Sequence, residues 1–198
     1  MLMNKPTITP IHVMTEESIL HFPVDIKDAV VFDTETSGLS GKAEICELSI
    51  VSLWEEKTLF CHTLKTKNPI PKEAIDIHGI TNEISQKSDT ICYWWNFVTG
   101  NLLSRKAVLG YNVNYDLRLL FQSFHMWKPD DQSFFNSTVT IDVMKIAADC
   151  FGVKKWLSLK NACELAEIPF EETKLHGSEY DSIMTARLFK KLLCLESK

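Results

Sequence analysis

Five short apolar segments, and the different spacing between them, restrict the folds open to this chain of 198 residues. The first three are separated only by brief polar turns, which is typical of an antiparallel meander. The last two are each followed by a segment with helical periodicity, which indicates strand–helix units. The predicted strands span residues 29–33, 44–54, 58–65, 107–111 and 138–142. The sequence therefore predicts an α/β fold whose mixed five-stranded sheet, three antiparallel strands and then two parallel strands, is flanked by helices.

Apolar side chains recur at helical intervals in the segments between and after these strands. The predicted helices cover residues 88–104, 114–127, 143–150, 158–167 and 178–195. Pro69 and Pro71 open a stretch, ending at Thr81, that we interpret as irregular. Residues 1–28 contain three prolines and little periodicity, so we expect an N-terminal arm with a short helix near residues 16–20. The remainder, residues 29–198, is predicted to form a single domain.

Composition excludes several classes of protein. Hydrophobic residues make up 45% of the chain, which is enough for one core and too much for a disordered protein. The longest apolar runs are only a few residues, so no membrane-spanning helix is predicted. The chain does not start with a basic flank followed by an apolar stretch, so a secretory signal is not expected. The six cysteines form no Cys-x-x-Cys pair, which favours free thiols and a cytoplasmic protein.

The formal net charge of −5 bears on the kind of partner. Affinity for long stretches of duplex DNA comes from phosphate neutralisation by lysine and arginine, which an acidic chain supplies poorly. The charge therefore argues against extensive wrapping of duplex DNA. It does not exclude an enzyme that grips a short nucleic-acid end.

Two carboxylates, Asp33 and Glu35, stand at the end of the first predicted strand. Side chains at positions i and i+2 of a strand point to the same face, so the two carboxylates would repel each other unless a cation lies between them. Oxygen clusters of this kind suit hard divalent ions such as Mg²⁺ or Mn²⁺. An acid-x-acid pattern is common by chance. Its position at a strand end, before the Ser37–Gly41 turn, favours a functional site.

Two further acids have ordinary structural explanations when each is taken alone. Asp116 would complement the dipole of a helix that Asn114 caps. Asp181 would complete a near capping box that begins at Ser178. His176 would be a loop residue without a special role.

Taken together, these segments resemble the three motifs of the DEDD exonuclease family. Residues 32–39 (Phe-Asp-Thr-Glu-Thr-Ser-Gly-Leu) resemble its first motif, residues 112–116 its second and residues 176–181 its third. Residues 70–81 also resemble a segment typical of the group, and all four lie in the family's order. His176 stands five residues before Asp181, which is the spacing of the DEDDh (DnaQ-like) branch. That branch includes polymerase III proofreading subunits, ribonuclease T, exonuclease X and TREX-type nucleases.

The resemblance implies a ribonuclease H-like fold and a metal-dependent 3′–5′ exonuclease that hydrolyses the terminal phosphodiester. It implies two divalent metal ions, Mg²⁺ or Mn²⁺. By resemblance, Asp33, Glu35 and Asp181 hold one ion, while Asp33 and Asp116 hold the other. His176 is implied to be the general base.

The resemblance also suggests substrate-binding residues, namely Thr36, Leu39, Glu73, His78 and Asn112. All but Thr36 have a structural alternative: Leu39 could pack in its turn, Glu73 could be a solvated acid, and Asn112 could cap a turn. His78 could equally be a loop residue beside Gly79.

The expected partner is the 3′ end of nucleic acid, single-stranded, with DNA preferred over RNA. An exoribonuclease acting on RNA 3′ ends is one alternative, and a non-catalytic module of the same fold that binds nucleic-acid ends is another. The resemblance is compatible with a homodimer and with a polymerase partner. No membrane partner is expected.

Overall fold

The computed structural model describes residues 25–103, 105, 107–130, 139–171, 174 and 176–195. The strands in these ranges are β1 (Val30–Thr36), β2 (Ile45–Ser52), β3 (Thr58–Thr63), β4 (Ala107–Gly110) and β5 (Val139–Asp142). The helices in these ranges are α1 (Lys72–His78), α2 (Asn82–Lys87), α3 (Ile91–Leu103), α4 (Val113–Trp127), α5 (Val143–Cys150), α6 (Leu159–Leu165) and α7 (Ser178–Leu195).

The five strands form one sheet in the order β3-β2-β1-β4-β5. β2 pairs antiparallel with both β1 and β3, whereas β4 pairs parallel with both β1 and β5. This arrangement confirms the predicted mixed sheet. Parallel strands need a crossover connection, and α4 lies in the connection between β4 and β5.

Both faces of the sheet are covered, and β1 contributes alternate side chains to the two cores. Val31 packs in a cluster with buried residues of α5, α6 and α7. Val30 and Phe32 pack in a second cluster, with buried residues of α3 and α4. Because both faces of β1 are buried, its first half reads as a continuous apolar run. The strand continues beyond Phe32 to Thr36, so Asp33 and Glu35 lie within it.

The interpretation of residues 69–81 as irregular was wrong, because two short helices lie there. Gly79, with a φ of 75°, ends α1, and its N–H donates to the Ile75 carbonyl. The Thr81 side chain caps α2 by accepting from the Ile84 N–H. Each helix has at most two turns, so its apolar positions are too few to give a periodic pattern.

The predicted cap of α4 was also wrong, because the helix begins at Val113 and Asn114 lies inside it. Asn112 occupies the cap position in a left-handed conformation, with a φ of 69° and no side-chain cap hydrogen bond. Its N–H donates to Asp142 Oδ1 at 3.1 Å. A contact with β5, thirty residues away in the chain, thus fixes the turn in place of local capping.

The predicted N-terminal arm, residues 1–28, lies mostly outside the described residues, as does the short helix expected near residues 16–20. Ile26 is described and is buried in the core. No disulfide bond joins the five cysteines whose side chains are described. No helix among the described residues combines the length and the apolar character needed to cross a membrane.

Candidate active site

Three carboxylates meet at the end of β1. Asp33 and Glu35 project from the face of β1 that packs against α7, the face that also carries Val31. Asp181 comes from the first turn of α7. One oxygen of each of the three carboxylates lies within 4.8 Å of the other two. Among the described residues, these three carboxylates are close enough to one another to hold a metal ion.

Asp116 reaches the same place from the other side of the sheet. It is buried in the first turn of α4, and its Oδ1 accepts a 2.6 Å hydrogen bond from Thr34 Oγ1. Thr34 faces α4 because neighbouring residues of a strand point to opposite faces. The close approach of α4 and the end of β4 to β1 depends on Gly110, where a Cβ atom would stand 2.8 Å from the Phe32 carbonyl oxygen. The site therefore straddles the end of β1.

Burial holds the pKa values of all four carboxyls above their usual range, and repulsion by the other carboxylates of the site adds to this for Asp33 and Glu35. Burial, followed by the charges of Asp116, Asp181 and Glu35, raises the pKa of Asp33 well above its usual value. Burial and the Asp181 charge raise the pKa of Glu35 to about 8. Burial raises the pKa of Asp116 to about 7, against the opposing hydrogen bond from Thr34. Burial likewise raises the pKa of Asp181 to about 6, with the nearby His176 acting in the opposite direction.

This donor set fits a hard divalent cation. All the donors are carboxylate oxygens, the type that Mg²⁺ and Mn²⁺ prefer. Asp181 Oδ1 is buried and has no hydrogen-bond partner among the described residues. A buried, unpaired carboxylate oxygen is costly, and a bound cation would both satisfy it and neutralise the repulsion.

His176 lies at the edge of the carboxylate group, on the loop before α7. Its N–H donates to Asp181 Oδ2 at 3.3 Å, and the Asp181 N–H donates to the Gly177 carbonyl at 3.0 Å. The residue is exposed and has a left-handed φ of 68°. A residue other than glycine adopts this conformation at a cost of about 1 kcal/mol or more, so local contacts must hold it.

Glu47 is a site neighbour that the sequence analysis missed. It lies on β2 directly opposite Glu35, and its Oε1 accepts hydrogen bonds from Ser178 N (3.0 Å) and Ser178 Oγ (2.8 Å). The capping-box explanation of Asp181 was wrong, because Ser178 lies inside α7 and the Asp181 N–H donates to the Gly177 carbonyl instead of the Ser178 hydroxyl. Strand register alone brings these residues together, so no local sequence signal could have found Glu47.

The turn after β1 carries two of the expected substrate-binding residues. The Thr36 hydroxyl and the Tyr115 hydroxyl both donate to the Gly38 carbonyl, each at 3.1 Å. Leu39 follows directly and is 82% exposed, so it does not pack in its turn. Two side chains thus fix the backbone of a loop that presents an apolar side chain to solvent.

His78, Glu73 and Asn112 are placed differently. His78 Nδ1 accepts from the Ile80 N–H at 3.1 Å, so the proton of the neutral imidazole lies on Nε2, which is 3.6 Å from Cys46 Sγ. Burial lowers the pKa of His78, although a hydrogen bond with the Thr36 backbone acts in the opposite direction. Glu73 is exposed on the first turn of α1. Asn112 contacts β5 through its backbone. The structure therefore links His78 to the end of β1 and leaves Glu73 outside the carboxylate group.

Comparison of the chain with known proteins identifies its family. The model of a family described as an exonuclease matches residues 30–189, which contain all four carboxylates and His176. Ribonuclease T of Hahella chejuensis is 27% identical over 179 residues, covering 81% of this chain and 80% of that protein. The DNA polymerase III epsilon subunit of Buchnera aphidicola is 26% identical over 170 residues, and the match covers 81% of this chain and 72% of that protein. An uncharacterized exonuclease of Escherichia phage 186 is 34% identical over 111 residues, and the match spans only 54% of that protein's length.

Solved structures agree in fold. The nuclease domain of 3'hExo, a DEDDh family member bound to rAMP, gives a TM-score of 0.67 at 16% identity, covering 84% of this chain and 91% of that one. Exonuclease X in complex with 5′ overhanging duplex DNA gives a TM-score of 0.61 at 21% identity, with the same coverage. The ribonuclease H-like fold expected from the sequence is thereby confirmed. This chain belongs to the exonuclease family and is a hydrolase of the 3′–5′ exonuclease type.

Proposed function

We propose that this protein removes nucleotides from the 3′ end of single-stranded nucleic acid in a reaction that depends on divalent metal ions, with DNA preferred over RNA. The observation that carries the proposal is the meeting of three carboxylate oxygens within 4.8 Å, with Asp116 brought beside them through Thr34. An arrangement of buried, mutually repelling carboxylates is costly unless it binds cations. It is the arrangement expected of a site that binds the phosphate of its substrate through metal ions.

In this proposal, Asp33, Glu35 and Asp181 hold one Mg²⁺ or Mn²⁺ ion, and Asp33 and Asp116 hold a second. When bound, the ions would neutralise the scissile phosphate and lower the pKa of the attacking water. The Thr34 hydrogen bond to Asp116 Oδ1 orients this carboxylate beside the other three. The backbone N–H of His176 restrains Asp181 Oδ2 in the same way, and Oδ1 is the oxygen without a hydrogen-bond partner among the described residues.

His176 would act as the general base. The residue is exposed beside Asp181, whose Oδ2 accepts from its backbone N–H, and imidazole is the side chain most often used for general acid–base catalysis. The imidazole accepts the proton of the water while the water oxygen forms a bond to phosphorus. The bond from phosphorus to the leaving 3′ oxygen then breaks, which releases a nucleoside 5′-monophosphate and a chain one nucleotide shorter.

The terminal nucleotide would lie over the turn after β1. Leu39 is the exposed apolar side chain nearest in sequence to the carboxylates, and it would pack against a base. The Thr36 backbone would contact the same nucleotide, with His78 holding that backbone in position. Glu73 and Asn112 are proposed as further contacts on the basis of the family motif.

The relatives support both kinds of nucleic acid. Epsilon subunits belong to a DNA polymerase, and the exonuclease X structure contains duplex DNA, which favours DNA. Ribonuclease T and the 3'hExo domain bound to rAMP favour the exoribonuclease alternative. A homodimer and a polymerase subunit are the two assemblies to be tested.

A panel of 5′-labelled single-stranded DNA, duplex DNA and RNA, incubated with Mn²⁺, Mg²⁺ or chelator, tests the proposal. We expect stepwise shortening from the 3′ end that requires metal and is fastest on single-stranded DNA. The variant Asp33→Ala should remove all turnover while its circular dichroism spectrum stays that of the wild type. Shortening that survives in chelator or in this variant would contradict the metal assignment. Binding without shortening would instead support the non-catalytic module.

A further inference from the structure

Glu47 joins β2 to the beginning of α7, the helix that supplies Asp181. Its Oε1 accepts from both the N–H and the hydroxyl of Ser178, at 3.0 and 2.8 Å. The first N–H groups of a helix have no partner within the helix, so this carboxylate replaces a local cap with one from a neighbouring strand. The contact with β2 therefore fixes the N-terminal end of α7 relative to the sheet.

Three buried serines extend the same attachment. Ser49 Oγ donates to the Ser178 carbonyl at 2.7 Å and lies 2.6 Å from Ser182 Oγ. All three serines are fully buried. Buried polar networks of this kind fix one arrangement, because breaking them leaves unsatisfied groups in the core. β2 therefore holds the first turn of α7 by Glu47 at one point and by Ser49 at another.

This first turn is the part of α7 that matters to the site. Asp181 lies three residues after Ser178, and His176 lies two residues before it. His176 also has a left-handed backbone that needs restraint from its surroundings. A shift of the Ser178 backbone would consequently move a carboxylate and the imidazole together.

The presence of an acid at position 47 itself needs an explanation. Glu47 lies directly opposite Glu35 in the antiparallel pair β1–β2, and like charges in that position destabilise a sheet. The positive end of the α7 dipole and the two Ser178 donors offset this repulsion. An acidic side chain therefore lies beside the proposed metal ligands, where a negative charge would attract cations.

From these contacts we infer that Glu47 is a positioning residue, which sets His176 and Asp181 relative to β1 and adds negative charge next to the metal site. This inference rests on the proposed function, because the residues it positions are those assigned to the metal ions and to the proton. Residues that orient metal ligands typically change metal affinity or activity by about 10- to 100-fold when replaced.

Two substitutions separate the hydrogen bonds from the charge. Glu47→Gln keeps a side-chain oxygen that accepts from Ser178 and removes the charge, whereas Glu47→Ala removes both. Glu179→Ala is the matched control, since it removes one acid from the same turn of α7, where the exposed Glu179 carboxylate accepts from the Thr58 hydroxyl and makes no contact with Ser178 among the described hydrogen bonds. The readouts are kcat and KM on a labelled oligonucleotide, Mn²⁺ affinity by calorimetry, and amide hydrogen exchange of the metal-free protein.

For Glu47→Ala we expect kcat to fall by about 10- to 100-fold with little change in KM. We also expect faster exchange of the amides at residues 177–181 and weaker Mn²⁺ binding. Glu47→Gln should restore the slow exchange and most of kcat, while its Mn²⁺ affinity stays below that of the wild type. Glu179→Ala should match the wild type in all three measurements.

Wild-type kcat and exchange in Glu47→Ala would overturn the inference. So would a Glu47→Gln variant that exchanges as fast as Glu47→Ala, because then the hydrogen bonds do not hold the helix end. If Glu47→Ala does not fold, Ser178→Ala, which removes one of the two hydrogen bonds, must show the same loss in a milder form. If the wild type itself cleaves no nucleic acid, the proposed function fails, and exchange with Mn²⁺ binding still tests the role of Glu47.

Discussion

The hydroxyl of Thr34 donates a 2.6 Å hydrogen bond to Oδ1 of Asp116, a residue 82 positions away in the chain. Thr34 is the residue between Asp33 and Glu35, and its side chain points to the opposite face of β1. One three-residue segment therefore supplies two carboxylates on one face of the sheet and the anchor of a third carboxylate on the other. Because the side chains of these three residues alternate between the two faces, the end of β1 lies between the first turn of α4 and the first turn of α7.

Replacing Thr34 by valine should lower kcat by about 10- to 100-fold, because Asp116 loses the hydrogen bond that orients it. Leaving a buried carboxylate oxygen unsatisfied should also cost about 1–3 kcal/mol of the free energy of unfolding. Thr34→Ser keeps the hydroxyl and should retain most of the activity. Steady-state kinetics at saturating Mn²⁺ and denaturant unfolding measure both effects. Equal activity in the two variants would show that the hydrogen bond does not matter.

His176 should affect turnover more than binding. Asparagine tolerates the left-handed backbone of this position, so His176→Asn removes the imidazole with little strain. Loss of a general base should lower kcat by about 10²- to 10⁴-fold and leave KM nearly unchanged. Kinetics on a single-stranded oligonucleotide provide the measurement. A higher KM with kcat preserved would identify His176 as a binding residue.

The metal-free protein should lose stability as the pH rises from 5 to 8.5. The pKa values of Glu35, Asp116 and Asp181 are raised to about 8, about 7 and about 6, and that of Asp33 is also raised. An unfolded carboxyl has a pKa of about 4, so the folded protein binds more protons than the unfolded chain between pH 4 and the raised pKa values. The free energy of unfolding is therefore highest at low pH and decreases as the pH rises through the pKa values of the folded protein. Each unit by which the folded pKa exceeds the unfolded pKa is worth about 1.4 kcal/mol, so a decrease of at least a few kcal/mol is expected.

Thermal unfolding in chelator across this pH range tests the prediction. Mn²⁺ should abolish most of the decrease, because bound cations replace the protons. Asp33→Asn should flatten the profile and make the metal-free protein more stable than the wild type at pH 8.5. A wild-type profile that rises between pH 6 and 8 would contradict the prediction.

Leu39 should contribute to substrate binding and not to stability. Because its side chain is 82% exposed, Leu39→Ala removes little buried surface and should change the free energy of unfolding by less than about 0.5 kcal/mol. The same substitution should raise KM for oligonucleotides several-fold with kcat preserved. Leu165→Ala, at a leucine on α6 that is 41% exposed, is the control and should leave KM unchanged. An unchanged KM in Leu39→Ala would remove this residue from the binding site.

Gly110 should not accept even one methyl group. The Cβ of an alanine there would lie 2.8 Å from the Phe32 carbonyl oxygen and 2.9 Å from Val113 Cβ, so β1 or α4 must move. We expect a loss of about 1–3 kcal/mol in the free energy of unfolding, together with reduced activity. Gly100→Ala in α3 meets no atom within 4 Å and should stabilise the helix by about 0.5–1 kcal/mol. Equal stability of the two variants would contradict the tight packing at Gly110.

Local patterns were sufficient for most of the fold. The boundaries of α5 and α7 agree with those predicted, and each of the five predicted strands is found with its ends displaced by a few residues. Periodicity reports which side of an element is buried, and long periodic elements give a clear signal. The short helices α1 and α2 escaped prediction because tertiary contacts and caps, and not a periodic apolar face, determine them.

The sequence alone determined the family and the candidate site residues, because Asp33, Glu35, Asp116, His176 and Asp181 stand at motif spacings that can be read along the chain. Tertiary structure alone decided how those residues are held. Thr34 meets Asp116, and Glu47 meets Ser178, across 82 and 131 positions, through strand order and register. A contact between distant segments produces no periodic pattern in either segment. The sequence alone therefore could not identify Thr34 and Glu47 as contacts of the site residues, and the tertiary structure was needed.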